Sequence, residues 1–222
     1  MISSFEIAWR EGRRVTARLS LPDSETGPAV LLAHGAGAGQ DHPGLTALRD
    51  GLSRAGHIVL TFNYPYMEEA RRRPDPTESL LTCHRAAAVR LRAETGEPIV
   101  LAGRSMGGRM GSLLAAGGEP CAALILYAYP LHPVGKTDVL RKDHLTRISS
   151  PMLFFTGTRD AMARLDLVHR WIRSLPNALV EIVEDADHAF RVPKSSGRTQ
   201  EELLAWIASR SAEWIQDLGR SS

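Results

Sequence analysis

The apolar positions of this chain change their period as it runs. Two stretches alternate apolar and polar residues, Phe5–Arg10 and Val15–Leu21, with Glu11-Gly12 between them, and this predicts a β-hairpin. After a run of Pro, Asp, Ser and Gly over 22–28, Ala29–Ala33 is continuously apolar. A strand without a polar face has to be covered on both sides, as the central strands of parallel sheets are. From there two patterns alternate. Helices are predicted from Pro43 to about Ala55, from a cap at Asp75 or Thr77 to near Thr95-Gly96, over Met106–Ala116 and Ala161–Ser174, and from about Thr199 to Leu218. Strands are predicted over His57–Phe62, Pro98–Ala102, Ala122–Tyr127, Pro151–Phe155 and Leu179–Val183. Gly56 stands where the first helix has to stop, and Asp75 or Thr77 where the second starts. Leu203, Leu204, Ile207, Trp214 and Leu218 mark the buried side of the last helix.

Strands alternating with helices build βαβ units, so the fold class is α/β: a mostly parallel sheet with helices on both faces and the hairpin antiparallel at one edge. No repeat, low-complexity segment or linker divides the chain, and one domain over 1–222 is expected. The irregular stretch 129–150 is long for a strand-to-helix connection, which marks it as a rim or lid.

Composition removes several function classes. A formal net charge of +2 does not make the clustered basic face of a nucleic-acid-binding protein. No apolar run approaches the roughly 18 residues of a membrane span. The opening Met1-Ile2-Ser3-Ser4-Phe5-Glu6 lacks the basic and then apolar layout of a signal peptide, so a cytoplasmic location is expected. Cys83, on a helix, and Cys121, at the start of a strand, read as small buried hydrophobes, not as a disulfide framework.

The chemistry begins at Gly103-Arg104-Ser105-Met106-Gly107. Three fixed letters in five arise by chance, but here a buried strand leads in and a helix leads out, which is the setting of a nucleophile elbow. The tight turn needs small residues two before and two after the nucleophile, hence Gly103 and Gly107. A serine hydroxyl is a weak nucleophile until a histidine takes its proton and an acid orients that histidine. His188 follows the last strand, in Glu184-Asp185-Ala186-Asp187-His188-Ala189-Phe190, and Asp160 follows the strand before it. The chain order Ser105, Asp160, His188 is the order of such triads in this kind of sheet. Asp166 is expected on a helix facing away, and Asp185 and Asp187 as loop caps or modulators of His188.

An oxyanion needs two preplaced donors. The Met106 N–H and the Ala36 N–H, with Gly35 as the second choice in the loop His34-Gly35-Ala36-Gly37, are the candidates. His34 reads as the residue that holds this loop by hydrogen bonds. Tyr64 and Arg104, with Gly35, are candidates to line the substrate pocket, and Arg71–Arg73 and Arg109 for an electropositive rim. This machinery requires no metal and no organic cofactor, and its partner is a small-molecule acyl substrate. Composition leaves the oligomeric state open.

Taken together, His-Gly-Ala-Gly-Ala at 34–38, Phe-Asn-Tyr-Pro-Tyr at 62–66, Arg-Arg-Pro-Asp at 72–75 and Gly-Arg-Ser-Met-Gly-Gly-Arg at 103–109 make a recognisable set. The chain resembles the α/β-hydrolase superfamily in a small form without a cap domain. Within it, the chain resembles a branch containing dienelactone-hydrolase-like bacterial proteins, a regulatory subunit of a histone acetyltransferase complex and a testis-expressed relative. The resemblance implies hydrolysis of a carboxylic ester or thioester through an acyl-serine. Dienelactone hydrolases proper carry a cysteine nucleophile, and this chain departs from them with Ser105. Some members of the branch serve as scaffolds, so a non-catalytic interaction protein is the alternative.

Overall fold

The computed structural model describes residues 1–96 and 98–220; the one-domain reading of 1–222 also spans Glu97, Ser221 and Ser222, which lie outside the described residues. In chain order the elements are β1 (Ile2–Arg10), β2 (Arg13–Ser20), β3 (Val30–Ala33), α1 (Pro43–Arg54), β4 (Val59–Phe62), α2 (Pro65–Glu68) and α3 (Thr77–Thr95). They continue with β5 (Val100–Arg104), α4 (Met106–Ala116), β6 (Ala123–Tyr127), β7 (Met152–Gly157), α5 (Leu165–Trp171), β8 (Ala178–Val183) and α6 (Gln200–Arg220). Among the described residues the strands form one eight-stranded sheet in the order β1-β2-β4-β3-β5-β6-β7-β8. β1 pairs with β2, and β2 with β4, antiparallel, and every later pairing is parallel. This is the α/β-hydrolase architecture, with the hairpin at one edge.

The unbroken apolar runs still obey the two-residue period of a strand. In β3, Val30 and Leu32 face one core while Leu31 and Ala33 face the other, and β6 divides Ile125 from Leu124 and Leu126 in the same way. One core is closed by α3, α4 and α5, through Leu80, Ala87, Leu91, Met110 and Val168. The other is closed by α1 and α6, through Leu48, Leu52, Leu203, Ile207 and Ile215. Each fully buried leucine of this kind stabilises the fold by roughly 1.5–3 kcal/mol.

Three elements differ from expectation. Residues 65–68 form the short helix α2 within what reads as loop, because Pro65 fixes the first turn and the Glu68 carboxylate accepts from Thr16 N–H and Oγ1, tying the turn to β2. Helix α5 starts at Leu165 instead of Ala161, because the Asp160 carboxylate takes the Met162 N–H at 2.7 Å and Arg164 is extended. Cys121 lies ahead of β6, half-buried. The 129–150 connection is anchored by buried Tyr129, Leu131, Leu145 and Ile148, while Val134 and Val139 stand exposed at its tip. No described helix is long and apolar enough to cross a membrane.

Candidate active site

β5 delivers the chain to Ser105 at the sheet's C-terminal edge, and α4 departs at once. Ser105 has φ 50° and ψ −111°, a conformation that costs a non-glycine residue of order 1–3 kcal/mol. The glycines around it are required by space. A Cβ on Gly103 would lie 2.5 Å from the Gly107 carbonyl carbon and the Gly108 nitrogen, and one on Gly107 would collide with the Ala33 and His34 carbonyls. The turn is tied to its neighbour strand by the Ser105 N–H, which donates to the Tyr127 carbonyl at 2.8 Å.

His188 sits in the loop after β8. That loop is clipped by the Asp187 carboxylate, which accepts from Ala189 N–H at 2.7 Å and Arg191 N–H at 2.9 Å. Fully buried Phe190, at φ 56°, anchors it from below, and the Gln200 side chain donates to the Ala189 carbonyl. The Asp160 side chain is completely covered and its two oxygens lie 2.9 and 2.8 Å from His188 Nδ1. His188 Nε2 is 2.9 Å from Ser105 Oγ. With Nδ1–H donating to the carboxylate, Nε2 is left to accept the serine proton. The structure thus brings Ser105, His188 and Asp160 into one hydrogen-bonded line. Asp166 lies exposed on α5 and pairs with Arg164, while Asp185 is held through its N–H by Thr158 Oγ1.

The loop after β3 runs beside the nucleophile: a Cβ on Gly35 would lie 3.6 Å from Ser105 Cβ. Ala36 comes next and is exposed. Met106 opens α4, so its N–H is one of the helix's orphan donors, at the end where the dipole favours an anion. His34 is buried beneath this loop. Its Nδ1 donates to the Gly35 carbonyl at 2.8 Å and its Nε2 accepts the Tyr64 N–H at 2.9 Å. Burial pushes its pKa down to about 4, so it is neutral at pH 7 and holds both bonds.

Tyr64 requires a correction. It does not line an open pocket: it is fully buried, with its hydroxyl on His84 Nδ1 at 2.9 Å, because an apolar ring at the end of β4 gains more from the core than from solvent. Arg71 is neutralised by Glu69 and Asp75 and adds little to a rim. Arg104 is half-buried, and its Nη2 donates to the His188 carbonyl at 3.3 Å.

Two clusters escape sequence reading. One is the His34–Tyr64–His84 chain. The other fastens the 129–150 connection to α4: His144 Nε2 meets Ser112 Oγ at 2.8 Å and Tyr129 Oη at 3.3 Å, and that phenol donates to the Arg141 carbonyl at 2.7 Å. Neither has a local motif that marks it. Among the described residues no three His, Cys, Asp or Glu side chains are grouped to hold a metal ion.

A family model described as an alpha/beta hydrolase domain matches residues 26–216. The chain belongs to the α/β-hydrolase family. Solved α/β-hydrolases share its fold at low identity. A dienelactone hydrolase from Anabaena variabilis is 20% identical, with 98% of this chain and 97% of that one covered at a TM-score of 0.76. Est1E from Butyrivibrio proteoclasticus is 16% identical, with 97% and 98% covered at a TM-score of 0.74. XC6422 from Xanthomonas campestris, described as an a/b serine hydrolase without lid, is 21% identical, with 96% and 95% covered at 0.73.

Proposed function

We propose that this α/β-hydrolase is a serine hydrolase that cleaves carboxylic esters or thioesters through an acyl-Ser105 intermediate. The observation that carries the reading is the line Ser105 Oγ to His188 Nε2 at 2.9 Å and His188 Nδ1 to Asp160 at 2.8 Å. Ser105 Oγ attacks the substrate carbonyl carbon, and its proton passes to His188 Nε2. The negative oxygen is held by the Ala36 and Met106 N–H groups. The tetrahedral species collapses, the bond to the alcohol or thiol breaks, and the leaving group departs with the proton from His188. Water, deprotonated by His188, then attacks the acyl carbon and frees the acid and Ser105. Proton transfer of this kind contributes about 10²–10⁴ in rate, and each oxyanion donor about 10²–10³. No step requires a metal or an organic cofactor. The reading takes the chain as one domain acting on a small-molecule acyl substrate.

A fluorophosphonate probe tests it: Ser105 Oγ forms a bond to phosphorus and fluoride leaves. Wild type is expected to label, Ser105→Ala not at all, and His188→Ala at least a hundredfold more slowly. Well-folded wild-type protein that resists labelling would overturn the reading and favour a scaffold. Equal labelling of the Ser105 variant would move the nucleophile elsewhere.

A further inference from the structure

The cations around Ser105 are not equivalent. Arg71 already has two carboxylates, and Arg104 is turned to the His188 carbonyl. Arg109, on α4, and Arg141, in the 129–150 connection, have no carboxylate partner among the described residues, and the charge of Arg109 reaches Arg141. Arg109 lies one helical turn beyond Ser105 and its N–H donates to the Ser105 carbonyl at 3.0 Å. Helical side chains lean toward the N-terminus, so the Arg109 stem points back toward the elbow. Its Nε is buried and without a hydrogen-bond partner. Arg141 Nη1 reaches the Pro130 carbonyl at 3.3 Å, three residues past Tyr127, the residue whose carbonyl binds the Ser105 N–H. Its guanidinium therefore lies beside the chain just past the end of β6, the strand next to the elbow.

Among the described residues no carboxylate is paired with either charge. Burial and the charge of Arg109 together pull the Arg141 pKa below the ordinary arginine value, so the two guanidinium groups repel. His144, bonded to Ser112 of α4, is held down at about 4 by burial and by Arg109 and Arg147, and is neutral. Tyr129 is pushed up by burial and remains a phenol. Asp143, the acid adjacent to His144, is exposed and bound to Lys142. The His144–Ser112 and Tyr129–Arg141 bonds hold the segment carrying Arg141 against the helix carrying Arg109, so the repulsion cannot be relieved by letting go.

We propose that Arg109 and Arg141 form a carboxylate subsite, so that the preferred esters or thioesters carry a carboxylate beyond the scissile carbonyl. An anion between the two forks relieves their repulsion and gives Arg109 Nε an acceptor, and a planar carboxylate matches a guanidinium edge. The inference rests on the serine-hydrolase reading and goes on to name its substrate class.

Two alkyl fluorophosphonates of equal chain length test it, one ending in a carboxylate and the other in a methyl group. The ratio of their second-order labelling rates is the readout, so a reduced active fraction in any variant cancels. Wild type is expected to favour the carboxylate probe about tenfold or more, and less at high salt. Arg109→Met and Arg141→Met are each expected to cut the ratio about tenfold, which corresponds to about 1.4 kcal/mol, and Arg109→Lys to retain part of it. Arg173→Met, in the exposed turn after α5, is expected to leave the ratio unchanged. A wild-type ratio of one or less would overturn the subsite, as would a ratio kept in both methionine variants or lost in Arg173→Met. Labelling by neither probe would remove the serine-hydrolase reading, and the subsite with it.

Discussion

Replacing Asp160 by Asn changes no volume and still disables the proposed relay, for a reason visible in the geometry. One carboxylate oxygen takes the Met162 N–H at 2.7 Å and lies 2.9 Å from His188 Nδ1, and the other lies 2.8 Å from the same nitrogen. In the variant the amide oxygen stays with Met162, and the NH₂ turns to Nδ1. Nδ1 accepts from the nearer NH₂, because an Nδ1–H shared with the amide oxygen on Met162 would face that NH₂ as a second donor; the proton moves to Nε2, and Nε2 can no longer take the Ser105 proton. Flipping the amide would set two donors against each other at the Met162 contact, costing about 1–3 kcal/mol in a buried site. That alone leaves roughly one histidine in ten to one in a hundred in the working tautomer. Loss of the buried negative charge that stabilises the imidazolium supplies the remainder. The expected fall in kcat is about 10⁴, or about 5.5 kcal/mol, the size seen when a triad aspartate is made asparagine in a serine protease. The assay is turnover of an umbelliferyl ester at pH 8, normalised by active-site titration, with a thermal melt to show that the variant folds. A variant that keeps more than a tenth of wild-type kcat would refute the tautomer reasoning.

Two further outcomes concern the fold. Gly103→Ala places a Cβ 2.5 Å from the backbone of Gly107 and Gly108. It is expected to cost at least about 3 kcal/mol, lowering Tm by roughly 6–12 °C, and a melt within 2 °C of wild type would contradict the packing described for the elbow. Stability is also expected to fall between pH 6.5 and about 4. His34 and His144 are held near 4 and His84 near 3 by burial, so on acidification the unfolded chain binds protons before the folded one does. The contribution is full above pH 6.5 and lost as pH falls toward 4, on the order of 3 kcal/mol for His34 alone. Urea midpoints from pH 7.5 to 4.5 measure it, and a flat profile in wild type, or an unchanged slope in His34→Gln, would count against it.

Much of the fold was legible because its rules are local. A continuous apolar run of four to six residues between turn residues is too short for a buried helix and fits a doubly covered strand, and β3, β5, β6 and β7 lie where such runs stand. The elbow was legible for the same reason: two small residues two positions either side of a serine describe one backbone turn. Boundaries moved where a side chain captured a backbone group, as Asp160 does ahead of α5. Tyr64 could not be placed from sequence, since a tyrosine at a strand end serves a core or a pocket equally well. Its partners His34 and His84 lie thirty and twenty residues away.

The sequence by itself determined the alternation of strands and helices, the strained serine turn, and the order in which a serine, an acid and a histidine reach one edge of the sheet. All of these follow from backbone sterics and from periods of two and 3.6 residues, which act over a few positions. The place of Asp160 after a strand singled it out among Asp160, Asp166, Asp185 and Asp187, but only the tertiary structure set its buried carboxylate against His188. It alone brought the Arg141 segment against the helix of Arg109, through the bond from Ser112 to His144 across 32 residues of chain. Contacts between distant segments are set by how whole layers pack, and that information resides in no short stretch of sequence.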